Sequence, residues 1–144
     1  MVNAMTTTQT VCQECGAVLP AEGDCWSRVH ELLEIETRAL AGLDPEAARR
    51  AHFFAVATYQ LQHPSRLTLP VLEQLRASVT EMLAPHARSI EAMRRDIARA
   101  TNGAQRVTNR APAGDRSHVP HWPRRWTMTA PDVIAAPDDA YPAE

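Results

Sequence analysis

Cys12, Cys15 and Cys25 carry the one sharp chemical signal in this chain. Two thiolates separated by two residues converge on a single ion, and the glycine that follows, Gly16, permits the tight backbone turn such a knuckle needs. Cys25 follows Cys15 after nine intervening residues, at the mouth of a predicted helix, where unpaired N–H groups and the helix dipole favour the thiolate a metal requires. Three cysteines without a signal peptide do not read as a disulfide framework, which would leave one sulfur over. Soft thiolates select Zn²⁺ first among the common ions, and a closed tetrahedral site takes a fourth ligand, usually histidine. Two other readings stand beside zinc: three reduced cysteines with no metal, and a redox dithiol, which no surrounding βαβ pattern supports.

The fourth ligand is sought among six histidines. His52, Ala55, Val56, Tyr59 and His63 form one helical stripe, so the two histidines and the tyrosine could face a common interior. Eleven residues at about 1.5 Å each separate His52 from His63 by roughly 16 Å, too far for one ion to hold both. An antiparallel helix hairpin turning near residue 43 sets Cys25 opposite residue 61 and His52 opposite Glu34. His63 is thus at the cysteine end, beside a turn into Pro64, and is the expected ligand. Its second ring nitrogen needs an acceptor, for which a backbone carbonyl or Gln60 is suited. His52 and Tyr59 read either as a core stripe or as an acid–base pair beside the metal. His118-x2-His121 could form a second metal pair, though an exposed loop pair is usually nothing, and His30 and His86 read as solvent-facing.

The elements that must position these residues are helical. Residues 1–10 read as a frayed leader, and Val11 to Gly23 as a loop. Asp24 is the expected N-cap of a helix from Trp26 to about Ala41, with Val29, Leu32, Leu33 and Leu40 on its apolar face and Gly42 as its left-handed stop. Asp44-Pro45 starts a second helix, apolar on nearly every side and hence central, which His63-Pro64 closes. Leu69 to Leu83 is a third helix, broken at Pro85, and Ala87 to Ala100 a fourth, capped by Asn102-Gly103. Gln105 to Arg125 lacks periodicity and reads as a loop. A last short helix begins at Thr129, where Thr129 and Asp132 have capping-box spacing. The chain divides into a leader (1–10), a metal-knuckle helical domain (11–104) and an irregular C-terminal segment with one short helix (105–144).

Composition excludes several classes. With 144 residues the chain supports one core. Its 15 basic and 17 acidic residues nearly cancel, leaving no basic field for general nucleic-acid binding. Every basic residue is arginine and alanine is abundant, a bias that more plausibly records GC-rich coding than guanidinium chemistry. No apolar run approaches a membrane span and the start lacks a signal-type apolar stretch, so a soluble cytoplasmic protein is expected.

The residues resemble a bacterial family of unknown function, number 5946. The pattern is carried by Cys12, Cys15 and Gly16; Cys25; His52; Val56, Tyr59, Gln62, His63 and Pro64; Trp122 and Pro123; and Thr129, Asp132 and Val133. It spans residues 11 to 135, and the run Tyr59 to Pro64 placed after the cysteine cluster is its most specific part. The resemblance supports a metal site and implies no reaction.

The expected fold is all-α, a small helical domain whose N-terminal zinc knuckle packs on an antiparallel helix hairpin. Cys12, Cys15, Cys25 and His63 are the expected ligands of one Zn²⁺, mainly structural. The expected role is a binding or regulatory module for a protein or small-molecule partner. A metalloenzyme using His52 and Tyr59 and a thiol-redox sensor are the alternatives.

Overall fold

The computed structural model describes residues 9–20, 23–101, 108–110, 112, 114–123, 126 and 128–135. Strand β1 (Gln9–Val11) pairs antiparallel with β2 (Val18–Pro20), in the register Gln9 to Pro20, Thr10 to Leu19 and Val11 to Val18. The sequence predicted no strand here. Gln9 and Thr10, read as the end of the leader, and Val18 to Pro20, read as loop, form this ribbon, and its turn is the cysteine knuckle. Three-residue strands are too short to show an alternating pattern, so only the pairing defines them.

Helix α1 (Cys25–Ala39) starts where Asp24 accepts the Ser27 N–H at 2.8 Å, the expected N-cap. It ends earlier than expected. Leu40 is the C-cap, its N–H bonded to the Glu36 carbonyl, and Gly42 is absent from the left-handed residues, so an ordinary turn rather than a glycine stop closes the helix. Helix α2 (Pro45–Gln62) has Asp44 as N-cap and Pro45 in its first turn, as predicted, and stops at His63, whose backbone (φ −126°, ψ 64°) leaves the α region ahead of the proline. A single 3₁₀ turn, Pro64–Arg66, leads to α3 (Leu69–Leu83). Helix α4 (Ile90–Thr101) begins three residues later than predicted because Ser89 caps the Ala92 N–H and Glu46, reaching from α2, accepts the Ile90 N–H at 2.8 Å. The expected Asn102-Gly103 cap lies outside the described residues. Helix α5 (Ala130–Ala135) carries the predicted box: the Asp132 carboxylate accepts both the N–H and the hydroxyl of Thr129.

The fold is all-α apart from the short ribbon, and α2 is its centre. Ala57 and Leu61 pack with Leu72, Leu75 and Val119; Phe53 and Phe54 pack on Met82, Ile90 and Met93; and Tyr59 packs on Cys15, Ala17, Leu19 and Cys25 of the knuckle. Leu72, Met82 and Ile90 are fully buried, each contributing about 1.5–3 kcal/mol of transfer free energy. Helix α2 packs on α3 and α4, while α1 packs on α5. Helices α1 and α2 run as the predicted hairpin, with the register moved by two residues: His52 meets Glu36 at 2.9 Å instead of Glu34.

The described residues of the expected loop from Gln105 to Arg125 form no helix, and they are bound to the helical part. Trp122 Nε1 donates to the Leu61 carbonyl at 2.8 Å, and Gln62 Nε2 donates to the Met128 carbonyl at 2.8 Å. Thr108 bridges to Leu67, and Asn109 donates to the carbonyls of Arg66 and Ser65. This strap encloses the turn after α2. Among the described residues no helix is long and apolar enough to cross a membrane.

Candidate metal centre

Three elements bring the chemistry together. In the knuckle, the Cys12 N–H bonds the Ala17 carbonyl at 2.8 Å and the Gly16 N–H returns to the Cys12 carbonyl at 3.0 Å, with Gly16 at φ +79°. That left-handed conformation is why glycine follows the second cysteine. Cys25 is the first residue of α1, fixed by the Asp24 cap, and His63 is the C-cap of α2.

The Sγ atoms of Cys12, Cys15 and Cys25 and a ring nitrogen of His63 all lie within 4.8 Å of one another. Cys12 Sγ is 3.7 Å from His63 Nε2 and Cys15 Sγ is 3.6 Å from Cys25 Sγ. A tetrahedron built on a Zn–S bond of about 2.3 Å has edges of about 3.8 Å, so these separations fit one ion. The three cysteines are free thiols. The group could hold a metal ion, and no other cluster of three or more such side chains occurs among the described residues.

His63 is oriented by its other nitrogen. Nδ1–H donates to the Tyr59 carbonyl at 2.8 Å, which directs Nε2 at the thiols, and the Tyr59 ring stacks on the imidazole at 4.2 Å. Of the two acceptors foreseen, the backbone carbonyl is used. The thiol pair inside the group is polarised. Hydrogen bonds from Cys15 and Cys25 hold Cys12 well below the ordinary thiol range, and the bonds it makes with Cys12 and Cys15 push Cys25 up. Burial opposes the imidazolium, yet the bonds to Cys12 and Cys15 and to the Tyr59 carbonyl raise His63 to about 10. Burial, and then the charges of Cys25 and Asp24, raise the Tyr59 phenol.

Glu14, between the two cysteines of the knuckle, ties it to the rest of the fold. Its carboxylate accepts the Ser65 N–H at 2.9 Å and its carbonyl accepts Arg116 Nη1 at 3.1 Å. Arg116 is buried in the strap and also donates to the carbonyls of Trp122 and Pro123. Only a chain folded back over 102 residues brings these together, so no local signal marks them.

The remaining candidates lie elsewhere. His52 is exposed and bonded to the buried Glu36, outside the cysteine group. His118 Nε2 donates to the carbonyls of Pro64 and Leu67, its Nδ1 lies 3.4 Å from Asn109 Nδ2, and His121 is exposed, so the two do not form a ligand pair. His30 and His86 are exposed, as expected.

Comparison with known proteins matches residues 10–144 to the family of unknown function DUF5946. The chain belongs to DUF5946. No curated protein and no solved structure matches it. In this DUF5946 chain three of the segments that carried the resemblance meet at the end of α2: His63 closes the helix, Trp122 bonds the Leu61 carbonyl, and Gln62 reaches the residue before Thr129.

Proposed function

We propose that Cys12, Cys15, Cys25 and His63 hold one Zn²⁺ whose role is structural, and that the domain is a binding or regulatory module. The observation that carries this is closure: four donors within 4.8 Å match the four positions of a tetrahedral zinc and leave none for water. Zinc itself is favoured by the donor chemistry, three thiolates and an imidazole. Bound there, the ion would join the β1–β2 turn, the start of α1 and the end of α2, adding a covalent link to the small apolar cluster of Cys15, Ala17, Leu19, Cys25 and Tyr59.

A binding role is also favoured by how the acid–base candidates are dispersed. His52 and Glu36 line a cleft of about 640 Å³ together with Phe53 and Ile97, whereas Cys25, Tyr59 and His63 border a different one. A metalloenzyme using His52 beside the metal would need them in one cleft.

The test is metal analysis of protein purified without chelator, followed by titration of His63→Ala and His52→Ala against a competing chelator. One zinc per chain, a cobalt-substituted form with thiolate charge-transfer absorption, and at least a tenfold affinity loss confined to His63→Ala are expected. Well under one equivalent of metal, or a loss confined to His52→Ala, would overturn the assignment.

A further inference from the structure

We propose that the cleft beside the metal centre binds a small zwitterion, its methylated ammonium group against Trp26 and Tyr59 and its anionic end on Arg66. This rests on the metal reading in one respect, the charge of the centre: three thiolates around a dication leave one net negative charge behind Cys25.

The cleft has a volume of about 600 Å³, and Trp26, Tyr59, Asp24, Glu14, Arg66 and Gln60 are among the side chains that line it. That size suits a small ligand. Trp26, the second residue of α1, is 61% exposed, although tryptophan is usually well buried. Its ring is held in place by His30 one turn along, edge-on at 4.6 Å. The Tyr59 ring lies 6.2 Å from it, inclined at 53°, and is itself fixed by stacking on His63. Two fixed, inclined aromatic rings form a wedge. A cation seated against such rings is attracted by their quadrupoles, and a fully methylated ammonium has no N–H groups that would need partners there.

The charges choose among ligands. Asp24 and Glu14 both line the cleft, the Asp24 carboxylate accepting the N–H and hydroxyl of Ser27 and the Glu14 carboxylate accepting the Ser65 N–H. With the anionic centre they make the lining negative, so a simple anion is repelled and a cation attracted. Arg66 is the lining cation; it is exposed, and its guanidinium makes no ion pair among the described residues. A neutral aromatic molecule would use the rings and leave all these charges unanswered. A zwitterion uses both.

The probe is glycine betaine, titrated into the zinc-loaded full chain and followed by calorimetry and tryptophan fluorescence. Its carbon isostere tert-butylacetate and tetramethylammonium serve as comparisons. Saturable betaine binding at least tenfold tighter than tert-butylacetate is expected. Trp26→Ala should weaken betaine and tetramethylammonium by tenfold or more, while Arg66→Gln weakens betaine alone. Zinc content and melting are measured on every variant, and neither substitution touches a metal ligand. Zinc-loaded protein that binds no betaine, binds the isostere equally well, or is indifferent to Trp26→Ala would overturn the proposal and leave the metal reading intact. Trp26-dependent betaine binding by a chain that holds no zinc would support the cleft and overturn the metal reading instead.

Discussion

His63 donates its Nδ1–H to the carbonyl of Tyr59, four residues back on the same helix, and so presents Nε2 to the cysteines. In the metal-free protein the thiols raise this ring to about 10 from an ordinary 6.5, so at neutral pH it carries a proton that an incoming ion must displace. Apparent zinc affinity is therefore expected to climb with pH through the neutral range and to level off for this group only above about 10. The sign is opposite for metal-free stability. A histidine raised on folding contributes its full stabilisation below pH 6.5 and loses it as pH rises through about 10. Chelator-treated protein should lose on the order of a few kcal/mol between pH 7 and pH 10 by urea titration, from this group alone. A flat profile, with zinc affinity also independent of pH, would show that His63 stays outside the metal site.

Cys12→Ser, or removal of the metal by chelation, is expected to loosen the knuckle and the strap together, because Arg116 holds both the Glu14 carbonyl and the carbonyls of Trp122 and Pro123. A structural zinc is worth on the order of 10 kcal/mol of binding free energy, much of it folding energy of the attached segments. Hydrogen exchange should quicken over residues 11–20 and 114–123 and the melting temperature should fall. Unchanged melting would count against a structural ion.

Arg116→Met keeps most of the side-chain volume and deletes the donors to three carbonyls. The expected cost is about 2–4 kcal/mol, since buried acceptors lose charge-assisted partners. The four candidate metal ligands are untouched. Chemical denaturation should show the loss while zinc stoichiometry stays the same; a parallel loss of metal would make Arg116 part of what shapes the site.

His52→Ala removes a 2.9 Å hydrogen bond to Glu36, whose carboxylate is buried between α1 and α2. Because the imidazole is more than half exposed, the cost should be modest, about 1 kcal/mol, and zinc affinity should not change. A much larger loss of affinity than of stability would return His52 to the metal site.

Where the forces are local, the chain announced its own structure. Asp24, Asp44-Pro45, His63-Pro64 and the Thr129–Asp132 box mark helix ends through bonds or backbone restrictions spanning four residues or fewer, and α2 and α3 run over the predicted residues. The knuckle was legible for the same reason, since two sulfurs and a glycine within five residues fix their own turn.

His63 was reachable by a further step, because a tight turn between two helices converts sequence distance into spatial pairing. The actual pairing is shifted by two residues, as His52 with Glu36 shows, and still leaves His63 at the cysteine end. Tertiary structure alone decided what no periodicity encodes. Gly42 was free not to act as a stop, because a turn through Leu40 to Leu43 closes α1 without it. The start of α4 waited for Glu46 from another helix. Glu14 and Arg116 acquired their roles only when the strap folded over the end of α2, since a buried polar group must find its partner wherever the packed chain brings one.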